Sequence, residues 1–252
     1  MFLFGNSFVH ASLNVASSYD ESSKMGYRLH VRQITSILST MDFDSYFSQF
    51  PMRSYKKRWS IANPGDNLQT IYYLKKGYVR LYATSSEGKE LTLIIYKPGE
   101  FFPLIVALQP NIVFRYWMET MANAEIISVP VASFTKFFEG NPRLLLDLLE
   151  RTMMRLDRII RRLEYAVFGD ACQKVASIVL ILEEAFGKKV GKVDIIEAPL
   201  THREIATIVG LTRETTSSTL SSLVKKGYIG YRGKHIVIKN RRGLLRESLF
   251  DS

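Results

Sequence analysis

The sequence predicts an α+β chain in three parts: an antiparallel β-roll of jelly-roll type (a double-stranded β-helix), a long dimerisation helix and a C-terminal winged helix-turn-helix. Three observations predict it. Between residues 51 and 130, short apolar segments alternate with Gly-centred turns, the texture of an antiparallel sandwich or barrel. From 141 to 168 an unbroken heptad seam runs through the chain. Between Thr201 and Leu223 two short amphipathic stretches flank Gly210, and a basic hairpin follows them. The expected boundaries are a loosely ordered leader at 1–28, the roll at 29–140, the long helix at 141–168 and the winged domain at 169–252.

Bulk properties narrow the chemistry. The chain has 252 residues, room for two modest cores. Its formal net charge of +10 favours a polyanionic partner, nucleic acid ahead of an anionic membrane surface. No apolar run approaches the roughly 18 residues of a spanning helix, so a soluble chain with no membrane role is expected. Cys172 is the only cysteine, which excludes a disulfide or a Cys-based zinc or iron–sulfur site within one chain and fits a reducing cytoplasm. Met1 to Asn6 lacks the basic start and the apolar length of a signal peptide.

In chain order, Ile34, Ile37, Leu38, Met41 and Phe47 follow a helical spacing. After Pro51 strands are expected at Ser54–Ser60, Thr70–Leu74, Tyr78–Thr84, Leu91–Tyr96, Trp117–Met121 and Glu125–Pro130, separated by turns such as Asn63-Pro64-Gly65-Asp66 and Lys97-Pro98-Gly99-Glu100. Helix returns at Phe134. Pro142 sits near the start of the long helix, where its missing N–H costs little. Leu149, Thr152, Leu156, Ile159, Leu163 and Ala166 recur at spacings of three and four, with charged residues on the other side. A second copy of the same helix is the expected partner; packing within one subunit is the alternative. Gly169-Asp170 ends the helix, and Cys172–Phe186 is a further amphipathic helix. Gly187–Lys192 reads as a basic loop.

The next stretch carries the chemistry. Thr201 and Glu204 form a capping box, Ile205, Ala206 and Val209 an apolar face, and Gly210 a left-handed stop. Thr212 caps a second helix. At 100° per residue, Thr216, Thr219, Leu220 and Leu223 face inward, while Arg213, Glu214, Ser217, Ser218 and Ser221 face out. A short polar face with one forked donor and one carboxylate suits a DNA major groove. An ordinary helical hairpin is the alternative; the Gly-turn spacing, the small Ala206 and the basic hairpin weigh against it. Arg213, Glu214, Ser217 and Ser218 are the candidate base readers. Thr201, Thr212, Ser221, Lys225, Arg232 and Lys234 are the candidate phosphate contacts. Arg241 and Arg242 read as merely solvated.

From about residue 34 to 240 the chain resembles the CRP/FNR family of bacterial transcription regulators. The resemblance rests on the order of the roll's turns, the long helix and the segment Gly210-Leu211-Thr212-Arg213-Glu214-Thr215. It implies a homodimer on palindromic double-stranded DNA, with Arg213 reading guanine and Glu214 cytosine, and RNA polymerase as a further partner. Ser218 stands where the family carries a second arginine, which implies an altered half-site. Cyclic-nucleotide-binding members place a glutamate where Leu104 stands and an Arg-Ser pair where Phe114-Arg115 aligns. Ile159 and Ile160 replace the polar helix residues that touch the base. The iron–sulfur sensors need a cysteine cluster, and His10, His30, His202 and His235 are poorly placed as haem ligands. No cofactor or metal is therefore expected. An apolar effector pocket formed by Phe101, Phe102, Leu104, Leu108, Phe114, Arg115 and Trp117 remains a candidate, with filled core as the alternative. A ligand sensor whose DNA binding is secondary is the competing function. An enzyme has no support: no nucleophile–base pair, phosphate-cradling Gly loop or metal spacing occurs.

Overall fold

In the computed structural model residues 46–251 are described, apart from 110 and 192. The expected leader and most of the helical pattern beginning at Ile34 lie outside them. The roll comprises β1 (Met52–Tyr55), β2 (Ser60–Ala62), β3 (Thr70–Lys76), β4 (Val79–Thr84), β5 (Glu90–Tyr96), β6 (Phe101–Phe102), the short helix α1 (Ile105–Leu108), β7 (Trp117–Thr120) and β8 (Ala124–Pro130). Two antiparallel four-stranded sheets result, ordered β1-β8-β3-β6 and β2-β7-β4-β5. Alternation along the strands sends Leu74 and Ile126 of one sheet, and Val79, Leu81 and Met118 of the other, into a shared core with Phe102 and Phe114. At Gly77, which joins β3 to β4 with φ +90°, a Cβ would lie 2.5 Å from the carbonyl oxygen of Asn123.

One expected strand is in fact two. Ser54–Ser60 was to run straight, but β1 pairs with β8 in one sheet and β2 with β7 in the other. The chain changes sheets through Lys56–Trp59, with Arg58 at φ 65°. Thr120 holds this corner: its hydroxyl donates to the carbonyl of Lys56 and accepts from the amide of Trp59.

Three helices follow: α2 (Val131–Glu139), α3 (Pro142–Phe168) and α4 (Ala171–Phe186). On α2, Phe134 and Phe138 pack against Phe101, with ring centroids 5.4 and 6.0 Å apart. α3 is a single helix of 27 residues with Pro142 in its first turn, roughly 40 Å long at about 1.5 Å per residue. Asp170 and Gln173 cap α4 reciprocally. Every residue of α4 from Val175 to Leu182 is buried, the mark of a helix enclosed on all sides. It forms the axis of the C-terminal core, where Val179 and Leu182 join Ile205, Leu220, Leu223, Ile229 and Ile238.

The rest of that domain is β9 (Gly187–Val190), β10 (Val193–Ile196), α5 (His202–Val209), α6 (Arg213–Lys225), β11 (Ile229–Arg232), β12 (His235–Ile238) and α7 (Arg241–Arg246). Its sheet is ordered β11-β12-β10-β9. The expected basic loop at 187–192 is thus a hairpin, turning at Gly191 with φ 65°. Its first strand is an exposed edge, where lysines discourage further pairing, so charge concealed its β character. Nor is Arg241 merely solvated: it opens α7 and pairs with Glu183 at 3.2 Å.

Cys172, at the start of α4, donates its thiol to Glu247, which also pairs with Lys226. Burial first, then Glu247, pushes the thiol up to about 11. At pH 8 it is therefore held as the neutral thiol, the poor nucleophile. Iodoacetamide should alkylate the folded protein at pH 8 at least tenfold more slowly than the urea-unfolded chain, with the folded rate rising as pH climbs through 10 to 11. Equal rates at pH 8, read by intact mass, would remove this assignment.

Candidate nucleic-acid interface

The helix pair is built from local rules that place its polar face. Thr201 caps α5: its hydroxyl accepts from the amide of Glu204, whose carboxylate accepts from the amide of Thr201. Gly210, at φ 70°, ends α5 in the left-handed region that glycine enters without a Cβ penalty. Thr212 then caps α6 by accepting from the amide of Thr215. Thr216, Leu220 and Leu223 are fully buried and fix the rotation of α6 about its axis. That rotation exposes the other arc.

Arg213 and Glu214 are exposed at the first turn of α6, and neither side chain has a hydrogen bond or ion pair among the described residues. Ser218 and Ser221 are exposed beside them, and the hydroxyl of Ser221 donates to the carbonyl of Ser217. Thr201 and Thr212 lie at the N-termini of α5 and α6, where unpaired amides favour anions. Lys225 is exposed at the far end of α6. Arg232 and Lys234 flank Gly233 at the tip of the β11–β12 wing, both exposed. The phosphate-contact candidates thus lie at the N-termini of α5 and α6, along the exposed arc and far end of α6, and at the tip of the wing.

Ser217 behaves differently from its neighbours. It is half-buried, and its hydroxyl lies 2.8 Å from Nδ1 of His202. The Nε2 of His202 is in turn 3.0 Å from the hydroxyl of Tyr231. One imidazole therefore ties α6 to the start of α5 and to the wing. A neutral ring donates from one nitrogen and accepts at the other, which satisfies both hydroxyls. Sequence reasoning missed His202 and Tyr231 here, because only tertiary packing brings positions 202, 217 and 231 together.

Two further groups of candidates sit elsewhere. On α3, Leu149, Leu156, Ile159 and Leu163 are exposed large apolar residues, from 40% to 64% accessible in the single chain. Ala166 is exposed as well, and Thr152 is half-buried with its hydroxyl on the carbonyl of Leu148. Leu145, Met153, Ile160 and Val167 broaden this stripe.

The effector-pocket candidates do not gather around one cavity. Phe101 and Phe102 point to opposite sides of β6, the first toward Phe134 and Phe138, the second into the roll beside Tyr96. Phe114 belongs to the roll core, Leu104 and Trp117 are half-buried, and Leu108 and Arg115 are exposed. Among the described residues no group of three metal-ligating side chains converges, and no helix is long and apolar enough to cross a membrane.

Comparison with known proteins adds the lineage. Residues 52–141 match a model described as a cyclic nucleotide-binding domain, and residues 173–247 match a Crp-like helix-turn-helix domain. The chain is similar to the cAMP-activated global transcriptional regulator CRP of Pasteurella multocida, at 25% identity over 78% of this chain and 94% of that one. It is also similar to the structure of a CRP/FNR-family transcriptional regulator from Thermus thermophilus, at 26% identity and TM-score 0.62, covering 80% of this chain and 99% of that one. FixK2 from Bradyrhizobium japonicum shares the fold at TM-score 0.67 and 24% identity, covering 79% of this chain and 97% of that one. With both domains matched in this order and regulators aligned along nearly their whole length, the chain belongs to the CRP/FNR family of DNA-binding transcription regulators.

Proposed function

We propose that the protein acts as a homodimer on an inverted-repeat DNA site, each copy laying α6 in the major groove. The observation that carries this reading is the pair Arg213 and Glu214, exposed side by side at the start of α6 with no side-chain partner among the described residues. Arg213 donates two parallel hydrogen bonds to O6 and N7 of a guanine, and Glu214 accepts from N4 of a cytosine. Ser218 is too short to fork onto a second guanine, so the half-site departs from the family's at that base pair. Ser217, held by His202, orients the helix as much as it reads. Thr201, Thr212, Ser221, Lys225, Arg232 and Lys234 grip the phosphates and set the register.

The apolar stripe of α3 supports the homodimer. A single chain leaves Leu149, Leu156, Ile159 and Leu163 in water, and a second copy of α3 covers the same residues by twofold symmetry. Two reading helices then meet half-sites about one helical turn apart. The β9–β10 hairpin, with Lys189 exposed, is the surface offered to RNA polymerase in the cytoplasm. The interior of the roll holds no cyclic nucleotide in this reading. Leu104 offers a ribose hydroxyl no acceptor, the exposed Arg115 is displaced by one from the phosphate position, and Phe102, Phe114 and Met118 occupy the core.

Selection from randomised duplexes should enrich an inverted repeat. On the enriched site Arg213→Ala should cost roughly 1–3 kcal/mol and relax preference at one base pair. Lys234→Ala should instead weaken all sequences alike and lower the salt slope by about one. Equal losses across all sequences for Arg213→Ala would contradict its role as a reader. Leu163→Glu, at a position 64% exposed in the single chain, should leave circular dichroism unchanged and give a monomer in sedimentation velocity. Its affinity for the full site should fall by about 10²-fold or more as the second contact is lost.

A further inference from the structure

Between the roll and the winged domain lies a cleft, half open to solvent. Strand β5, the helices α3 and α4, and Ile208 of α5 wall it. Four cations and one carboxylate line it: Lys97, Arg155, Arg158 and Arg162 against Glu100. Three of the cations are engaged. Arg155 pairs with Glu100 at 3.0 Å and lies over the Tyr96 ring. Arg162 donates to the carbonyls of Leu93 and Ile208. The ammonium of Lys97 donates to the carbonyl of Ala185 at 2.7 Å.

Arg158 is the exception. It is half-buried, with no hydrogen bond or ion pair among the described residues. The two carboxylates near it are both committed, Glu100 to Arg155 and Glu184 to Arg161 at 3.0 Å. The surplus of positive charge registers on Lys97. Burial lowers its affinity for a proton, Glu100 opposes that, and Arg158, Arg151 and Arg155 add to it. A half-buried guanidinium with its fork unused is a receptor for a carboxylate or phosphate, which it takes through parallel hydrogen bonds. Ile95, Ile178 and Phe186 supply apolar surface on the same cleft. Ligand sites commonly combine such a wall with a few placed polar groups.

We propose that this cleft binds a small amphipathic anion, its carboxylate or phosphate head on Arg158 and its apolar body against Ile95, Ile178 and Phe186. Such a ligand touches the roll, the long helix and α4 at once. It therefore stabilises whichever arrangement of the two domains forms the cleft, by the difference in its affinity for that arrangement and any other. The site goes beyond the DNA reading, and its test needs no DNA.

Titration calorimetry of the full chain with octanoate and with octyl phosphate, each below its micelle concentration, separates the two heads. Octanol and inorganic phosphate serve as body-only and head-only probes. At least one amphiphile should bind saturably, once per chain, and more tightly than either control. Its affinity should fall about tenfold or more in Arg158→Ala and by less in Arg158→Lys, which keeps the charge but not the fork. Arg158→Gln, closer in size, takes the place of the alanine variant if that fails to fold. Absence of saturable heat, octanol binding as tightly as the anions, or an Arg158 variant without charge binding like the parent chain overturns the proposal.

Discussion

One guanidinium reaches both halves of this molecule at once. Arg162, on the long helix, donates to the carbonyl of Leu93 in the roll and to that of Ile208 in the first helix of the helix-turn-helix. Burial, with Tyr165 opposing, lowers its pKa, yet an arginine stays charged at any physiological pH. A buried charge satisfied by carbonyl dipoles in place of a carboxylate is held only while those carbonyls stay put. The hydroxyls of Thr92 and Thr207, 2.9 Å apart, brace the same junction. Roll, long helix and C-terminal domain are joined by these polar contacts and by apolar packing of Tyr78, Ile95, Met121 and Tyr165 against the core around α4. The large apolar core around α4 lies mainly within the winged domain.

That division of labour suits a regulator. Local chemistry makes the reading domain rigid: a reciprocal cap at Thr201 and Glu204, a left-handed glycine at 210, a cap at Thr212, and Thr216, Leu220 and Leu223 sealed beneath. His202 adds a cross-brace from α5 to Ser217 of α6 and Tyr231 of the wing. The junction to the roll mixes apolar walls with cations and is partly open, and the unpaired Arg158 sits within it.

How much of this was legible in the residues differs by element. The helix-turn-helix was legible almost to the residue, since caps, glycine stop and apolar arc are short-range signals that α5 and α6 obey. The long helix and the two-sheet roll were equally plain from period and punctuation. The corner at Lys56–Trp59 was not, because Thr120, more than sixty positions away, holds it. The β9 strand was hidden by its lysines, which edge position tolerates. The expected pocket residues separate for a related reason. Phe101 and Phe102 are neighbours in sequence, but adjacent strand positions face opposite ways, so they serve two different clusters. The cleft around Arg158 draws on β5, α3, α4 and α5, and no local pattern announces a surface assembled from four distant segments.

The exposed stripe of α3 has a mass-action corollary under the proposed homodimer. A lone chain keeps Leu149, Leu156 and Leu163 in water, and on that reading the pairing of two chains precedes DNA binding. While chains are scarce, occupancy of a two-halved site would then climb with the square of their number, and doubling synthesis would quadruple the bound fraction.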